Sequence, residues 1–297
     1  MKTLWRSIIF VTLTAVILAA GIQPASAAQP KPILYGTTGR CNNDFPGGPC
    51  NQTSTLVQLD PNTGALIKVI GPVGYTVNGL AWDRKTSKLY ASTAIGCGAE
   101  SVCPFHGLIT INPSTGAGKP VNPAALNFGL AGDASPIHSI TMDSNGRMVG
   151  WYDEFPIGAV TDTFVQIDKK TGIATEFPDT GIDTSANGLS FDGNDLLWNI
   201  DSPRRVGLNP PTQTAYRLDP ATGKMLLSIP LSPLTMAALG DFNPVNNLYY
   251  GLNFTPFDPT AKTFMVVVNP NLQNGTVAIL GQTVDNLHTL AFVKKVK

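Results

Sequence analysis

Short stretches in which apolar and polar positions alternate recur along most of the chain, among them Leu56-Val-Gln-Leu59, Phe164-Val-Gln-Ile167 and Ala215-Tyr-Arg-Leu218. A period of two sends successive side chains to opposite faces of a β-strand, and no helical period intervenes between the stretches. One kind of turn follows them: Asp60-Pro-Asn-Thr-Gly64, Asn112-Pro-Ser-Thr-Gly116, Asp168-Lys-Lys-Thr-Gly172 and Asp219-Pro-Ala-Thr-Gly223. Asp or Asn accepts hydrogen bonds from backbone amides ahead of it, Pro presets φ, and Gly takes the left-handed position, so each turn predicts a hairpin. A longer, degenerate copy runs from Asn269-Pro270 to Asn274-Gly275, and the copies begin 50 to 56 residues apart.

Two further strands complete each unit. One reads Gly79-Leu-Ala-Trp-Asp83, Ser139-Ile-Thr-Met-Asp143, Gly188-Leu-Ser-Phe-Asp192, Leu239-Gly-Asp-Phe-Asn243 and Thr289-Leu-Ala-Phe-Val293. The next reads Lys88-Leu-Tyr-Ala-Ser92, Arg147-Met-Val-Gly-Trp151, Leu196-Leu-Trp-Asn-Ile200 and Leu248-Tyr-Tyr-Gly-Leu252, and its fifth copy, Ile33-Leu-Tyr-Gly-Thr37, stands at the other end of the chain. Short strands in equal repeats of this length predict an all-β fold, a five-bladed β-propeller of four-stranded blades. The divided unit predicts that Ile33–Thr37 pairs with Thr289–Val293, which closes the ring with both termini in one blade and covers an open sheet edge. Six blades, one of them degenerate, is the alternative count. A two-sheet sandwich is the rival architecture, but it accounts for neither the equal repeats nor the divided unit.

The first residues stand outside this pattern. Lys2 and Arg6 precede an almost continuously apolar run, Ser7 to Ala20, and Gly21 and Pro24 lead to Ala25-Ser26-Ala27. This predicts a signal peptide over 1–27, cleaved after Ala27, and a single propeller domain over 28–297 that is secreted or periplasmic. The run is short for a membrane span, so none is expected after cleavage, with an uncleaved anchor as the alternative. Lys+Arg and Asp+Glu number 20 each, and losing Lys2 and Arg6 leaves a small acidic excess. Nothing in that balance favours nucleic acid or anionic lipid as a partner. All four cysteines, Cys41, Cys50, Cys97 and Cys103, follow the signal, and an even count in an exported chain favours disulfides. Three pairings are open, of which the local ones, Cys41 with Cys50 and Cys97 with Cys103, are the simplest. Neither pair has the C-x-x-C spacing of a redox or zinc site.

Through the Gly-Leu-Ala-Trp-Asp strand, the Leu-Tyr-Ala strand and the Asp-Pro-x-Thr-Gly hairpin, the chain resembles the propellers built from NHL, WD and quinoprotein-type repeats. The resemblance implies an architecture and no particular activity. It also implies a ligand face, formed by the loops between second and third strands and by the connections from one blade to the next. The within-blade loops there are Gly39–Ser54, Ala94–Phe105, Asp153–Asp162, Asp201–Thr212 and Asn253–Lys262, and the first two hold both cysteine pairs.

Aligning the five inner strands places Asn78, His138, Asn187, Ala238 and His288 at one equivalent position. Two of the chain's three histidines share it, so His138 and His288 are candidate ligand-binding residues and candidate ligands for a divalent metal, the one cofactor considered. Amides and imidazoles that merely line the channel are the structural alternative. A second cluster is Trp151 with Asp153 and Glu154, which can stack a sugar, bind a cation or take up a proton. A third is Asp201 with Arg204. No G-x-S-x-G, H-E-x-x-H, EF-hand or phosphate-cradling loop occurs. Two functions follow. The first is a monomeric, non-catalytic binding propeller that takes a protein, glycan or small molecule on its loop face. The second is a channel-mouth enzyme of lactonase or lyase type using His138 and His288.

Overall fold

The computed structural model describes residues 31–38, 53–93, 107–125, 127–130, 137–152, 161–177, 179–184, 188–201, 213–253, 262–271 and 273–293, apart from the side chain of Ala238. The expected signal peptide, all four cysteines, Asp153, Glu154, Asn187 and Arg204 lie outside these residues.

Every element among the described residues is a strand. Blade I contains β1 (Ile33–Thr38), β2 (Thr55–Leu59) and β3 (Leu66–Pro72). Blade II is β4 (Val77–Asp83), β5 (Lys88–Thr93), β6 (Leu108–Ile111) and β7 (Gly118–Pro120), and blade III is β8 (Ile137–Met142), β9 (Met148–Tyr152), β10 (Thr163–Ile167) and β11 (Ala174–Phe177). Blade IV is β12 (Leu189–Phe191), β13 (Leu197–Ile200), β14 (Thr214–Leu218) and β15 (Met225–Ser232). Blade V is β16 (Ala238–Phe242), β17 (Tyr249–Asn253), β18 (Phe264–Asn269) and β19 (Gly275–Gln282), and β20 (Leu287–Val293) completes blade I. The terminal strands pair as the divided repeat predicts, with Ile33 opposite Val293 and Thr37 opposite Thr289. The inner strands β20, β4, β8, β12 and β16 neighbour one another in that order, and β16 neighbours β20 again. Among the described residues the protein is therefore a closed ring of five four-stranded β-propeller blades. No helix among them is long and apolar enough to cross a membrane.

The core lies in the seams. Because strand side chains alternate, each blade buries both faces, one against each neighbour. Tyr35, Leu56 and Ala291 of blade I meet Leu80, Leu89 and Ile109 of blade II. Tyr90 and Leu108 meet Ile140 and Val165 across the next seam, and Trp151 and Phe164 meet Leu189 and Leu197 across the third. Trp198 then packs with Phe242 and Tyr249, and Tyr250 and Leu252 pack with Leu290 and Phe292. Each blade boundary has its own apolar cluster.

The repeated turns form as their residues dictate. The amides of Asn62, Ser114, Lys170 and Ala221 donate to Oδ1 of Asp60, Asn112, Asp168 and Asp219 at 2.8, 2.9, 2.7 and 2.9 Å. Those amides hold the Asp168 and Asp219 carboxyls below the usual aspartate range. The closing glycine has a second duty. Gly64, Gly172 and Gly223, all at positive φ, lie against Met265, Leu108 and Phe164 on the third strand of the preceding blade. The same turn therefore makes the hairpin and fits one blade to the next.

One pairing has no counterpart in the repeat. The outer strands of blades IV and V join in parallel through Leu231 with Gly275 and Ser232 with Thr276, which merges the two blades into one eight-stranded sheet.

Candidate functional site

The aligned position of the inner strands is a β-bulge. In blade II, Val77 pairs with Thr93 and Gly79 with Ser92, so Asn78 is the extra residue. In blade III, Ile137 pairs with Tyr152 and Ser139 with Trp151, which leaves His138 as the extra residue. In blade I, Leu287 opposes Thr38 and Thr289 opposes Thr37, and His288 is skipped. A bulged residue leaves the ladder and its side chain is re-aimed, a device common beside binding sites. His288, Asn78 and His138 stand on β20, β4 and β8, three successive inner strands, at the ends that receive the connections between blades. Asn78 and His288 are buried and His138 is half-buried. Blade II separates the two histidines.

Below the bulges lie unsatisfied polar atoms. Thr37 Oγ1 and Ser92 Oγ are buried without a hydrogen-bond partner among the described residues. They hold equivalent places in β1 and β5, opposite Thr289 and Gly79, the residues that follow His288 and Asn78. Asn199 Nδ2 is likewise unpartnered, while its Oδ1 accepts the Gly188 amide at 3.4 Å. Burying a hydroxyl or amide without a partner costs about 1–3 kcal/mol. Water or a polar ligand would satisfy such groups. Among the described residues, Asn78, His138, His288, Thr37, Ser92 and Asn199 offer imidazole, amide and hydroxyl groups, donors and acceptors without a fixed charge.

Trp151, predicted to meet a ligand, is fully buried at the end of β9, and its indole NH donates to Asp162 Oδ2 at 3.0 Å and to Thr184 Oγ1 at 3.2 Å. The Thr184 amide and hydroxyl donate to the same oxygen at 2.7 and 2.6 Å. The group ties the second and third strands of blade III to its outgoing connection. Asp201 is buried after β13, and its amide donates to Thr214 O at 3.0 Å. Among the described residues no group of three or more His, Cys, Asp or Glu is arranged to hold a metal ion.

Sequence reasoning missed Asp241. At the third position of the aligned inner strands the other blades carry Ala81, Thr141, Ser190 and Ala291, so a charge there was the available signal. In blade V the ladder slips between Ala238 and Asp241, Leu239 adopts a φ of 55°, and Gly240 lies so close to the Tyr250 carbonyl that no β-carbon fits. This distortion aims the carboxylate at its neighbours. Oδ1 accepts the Ser190 hydroxyl at 2.6 Å and the Phe242 amide at 2.9 Å, and Oδ2 accepts the Phe292 amide at 2.7 Å. Burial pushes the carboxyl up to about 6, against the lowering pull of Ser190, the Phe292 amide and Arg84.

No family model matches the chain, and no curated protein matches it. Solved structures similar to it include the Dos1 propeller, at 13% identity and a TM-score of 0.39 over 80% of this chain and 70% of that one. Another is CoXyl43, a GH43 β-xylosidase/α-arabinofuranosidase from a compost microbial metagenome, at 11% identity and a TM-score of 0.48 over 69% of this chain and 77% of that one. A third is the calcium-binding protein regucalcin from Agrobacterium tumefaciens, at 13% identity and a TM-score of 0.38 over 77% and 74%. These likenesses are remote, and the propeller assignment stands on the strand pairing and the closed ring of inner strands.

Proposed function

We propose that this chain is an exported binding propeller whose channel mouth takes a small, uncharged, hydroxyl-rich molecule, such as a sugar or glycan end, and releases it unchanged. One observation carries the reading: Asn78, His138 and His288 are bulged residues on three successive inner strands, with unsatisfied buried hydroxyls of Thr37 and Ser92 beneath two of the bulges. Bulges lift side chains out of the ladder, and orphaned hydroxyls are groups a ligand hydroxyl would satisfy. The imidazole, amide and hydroxyl groups of Asn78, His138, His288, Thr37 and Ser92 carry no permanent charge, which favours an uncharged ligand at that position. Export is supported by the N-terminal segment, with its basic head, apolar run and Ala25-Ser26-Ala27 site.

Isothermal titration of the purified protein against a panel of mono- and oligosaccharides and polyols tests this. The expected result is saturable binding to at least one compound, weakened tenfold or more in a His138→Ala, His288→Ala double variant that keeps its melting temperature within a few degrees. Absence of binding across the panel overturns the reading. So does turnover of a bound glycan, lactone or ester that the double variant abolishes, which would favour channel-mouth chemistry by the two imidazoles.

A further inference from the structure

We propose that Asp241 is a proton-binding clasp, which makes the seam where the two ends of the chain close the ring sensitive to pH. The residue stands on β16, and its carboxylate reaches Ser190 on β12 and the Phe292 amide on β20. It thus joins blades IV, V and I, and blade I holds the terminal strands β1 and β20.

The free edge of an inner strand presents amides that need acceptors. At two other seams a neutral hydroxyl meets that need, while Ala81 and Ala291 hold the equivalent position in blades II and I. Thr141 Oγ1 accepts the Phe191 amide at 3.2 Å between blades III and IV, and Ser190 Oγ accepts the Phe242 amide at 3.2 Å between blades IV and V. Asp241 does the same for Phe292 between blades V and I, with an ionisable group. Bridging the seam therefore does not itself require a charge. The carboxylate adds one property that the hydroxyls lack, which is titration.

The surroundings accommodate both protonation states. When Asp241 is ionised, the Ser190 hydroxyl donates to Oδ1. When Oδ1 carries a proton, that proton donates to Ser190 Oγ, which has a lone pair to receive it, and Oδ2 still accepts from Phe292. No buried polar group is left unpaired in either state. The Phe292 bond is charge-assisted only in the ionised state, so protonation loosens that bond while removing a charge that partial burial disfavours. Arg84, from the turn after β4, lowers the affinity of Asp241 for a proton, and β17 sets two phenols beside it, Tyr249 and Tyr250, the latter directly opposite Asp241 in the ladder. Burial and the nearby Asp241 charge raise the Tyr249 phenol far above its usual range, so it stays neutral. β12 carries no charged residue, and His288, the one titratable residue of β20, lies four positions from Phe292.

The sign follows. The folded carboxyl, at about 6, holds its proton more tightly than an unfolded aspartate at about 4. Its favourable contribution is complete below about pH 4 and is lost as pH rises through 6.

The test is carbon-13 NMR of the aspartate carboxyl carbons in the purified protein, with urea unfolding at pH 4.5 and 7.5. The expected result is one aspartate, absent from the Asp241→Asn spectrum, that titrates near 6. Ser190→Ala should move that titration to higher pH by removing a hydrogen bond to the ionised form. Asp241→Asn, whose amide pairs with Ser190 and whose carbonyl faces Phe292, should lower the pH 4.5 to 7.5 difference in urea midpoint. An Asp241 signal that titrates below 4.5 in the folded protein overturns the proposal. So does a pH dependence of the midpoint that Asp241→Asn leaves unchanged. If Asp241→Asn does not fold, an Asp241 titration left in place by Ser190→Ala overturns it equally. None of these readouts involves a sugar, so the result is independent of the ligand proposed for the channel mouth.

Discussion

Gly223, which ends the blade IV hairpin at a φ of 73°, lies so close to Phe164 of blade III that a β-carbon on it would overlap the Phe164 side chain. Two costs coincide there. A left-handed conformation costs a non-glycine residue about 1–2 kcal/mol, and overpacking costs about 1–3 more. Gly223→Ala should therefore lower unfolding free energy by roughly 2–5 kcal/mol in urea denaturation. Gly74→Ala isolates the first cost, since Gly74 has a φ of 80° and nothing within 4 Å of its β-carbon position. It should lose only about 1–2 kcal/mol. Equal losses in both variants would show that the turn glycine does not fit blade to blade.

Thr141 meets the edge amide of Phe191 across the seam between blades III and IV. Thr141→Val keeps the shape and removes the acceptor, which should cost about 1–3 kcal/mol. Hydrogen exchange is the specific readout: the Phe191 amide should lose protection in Thr141→Val and regain it in Thr141→Ser.

Lys169 on the blade III turn reaches across to Asp83 at 2.6 Å, where the Asp83 side chain is fully buried. Burial alone would raise that carboxyl, but hydrogen bonds from Lys169, Thr86 and Lys85 outweigh it and hold it below the usual aspartate range. Lys169→Met should cost about 1–3 kcal/mol at neutral pH by leaving a buried carboxylate one partner short. A depressed carboxyl stabilises the fold above about pH 4, and that contribution is lost as pH falls through the folded value. The stability gap between wild type and Lys169→Met should therefore be full at pH 7 and should narrow below pH 4. A constant gap would assign the cost to lost packing of the lysine stem.

Trp151 donates its indole NH into the Asp162 and Thr184 group. Trp151→Phe keeps the ring and deletes the donor, with an expected loss of about 1–3 kcal/mol. Thermal melting measures it. A Trp151→Phe protein as stable as wild type would show that the group is satisfied without the indole.

Much of the architecture was legible before any coordinates. The Asp-Pro-x-Thr-Gly turns, the alternating strands and the division of one repeat between Ile33–Thr37 and Thr289–Val293 all appear as read, and those two segments pair as β1 and β20. These features rest on turn chemistry and on a period of two, both of which are local. The alignment also brought Asn78, His138 and His288 to one position, but it did not say that the position is a bulge. A bulge is defined by the partner strand, and that partner lies far away in sequence for His288. Trp151 was read as part of a ligand platform. Its partner Asp162 is 11 residues on and Thr184 is 33, too far for spacing to disclose.

The sequence by itself determined the fold class, the repeat, the closing pair of strands and the alignment of Asn78, His138 and His288 at one inner-strand position. Hydrophobic alternation and turn residues act on neighbours a few positions apart, and a repeat copies them around the ring. Tertiary structure alone decided which polar residues are consumed in holding the blades together and which are left over. It placed a glycine against Phe164, joined β15 to β19, and set Asp241 between Ser190 and Phe292. Each of these depends on one seam between two blades, and the seams differ although the repeats that form them are alike.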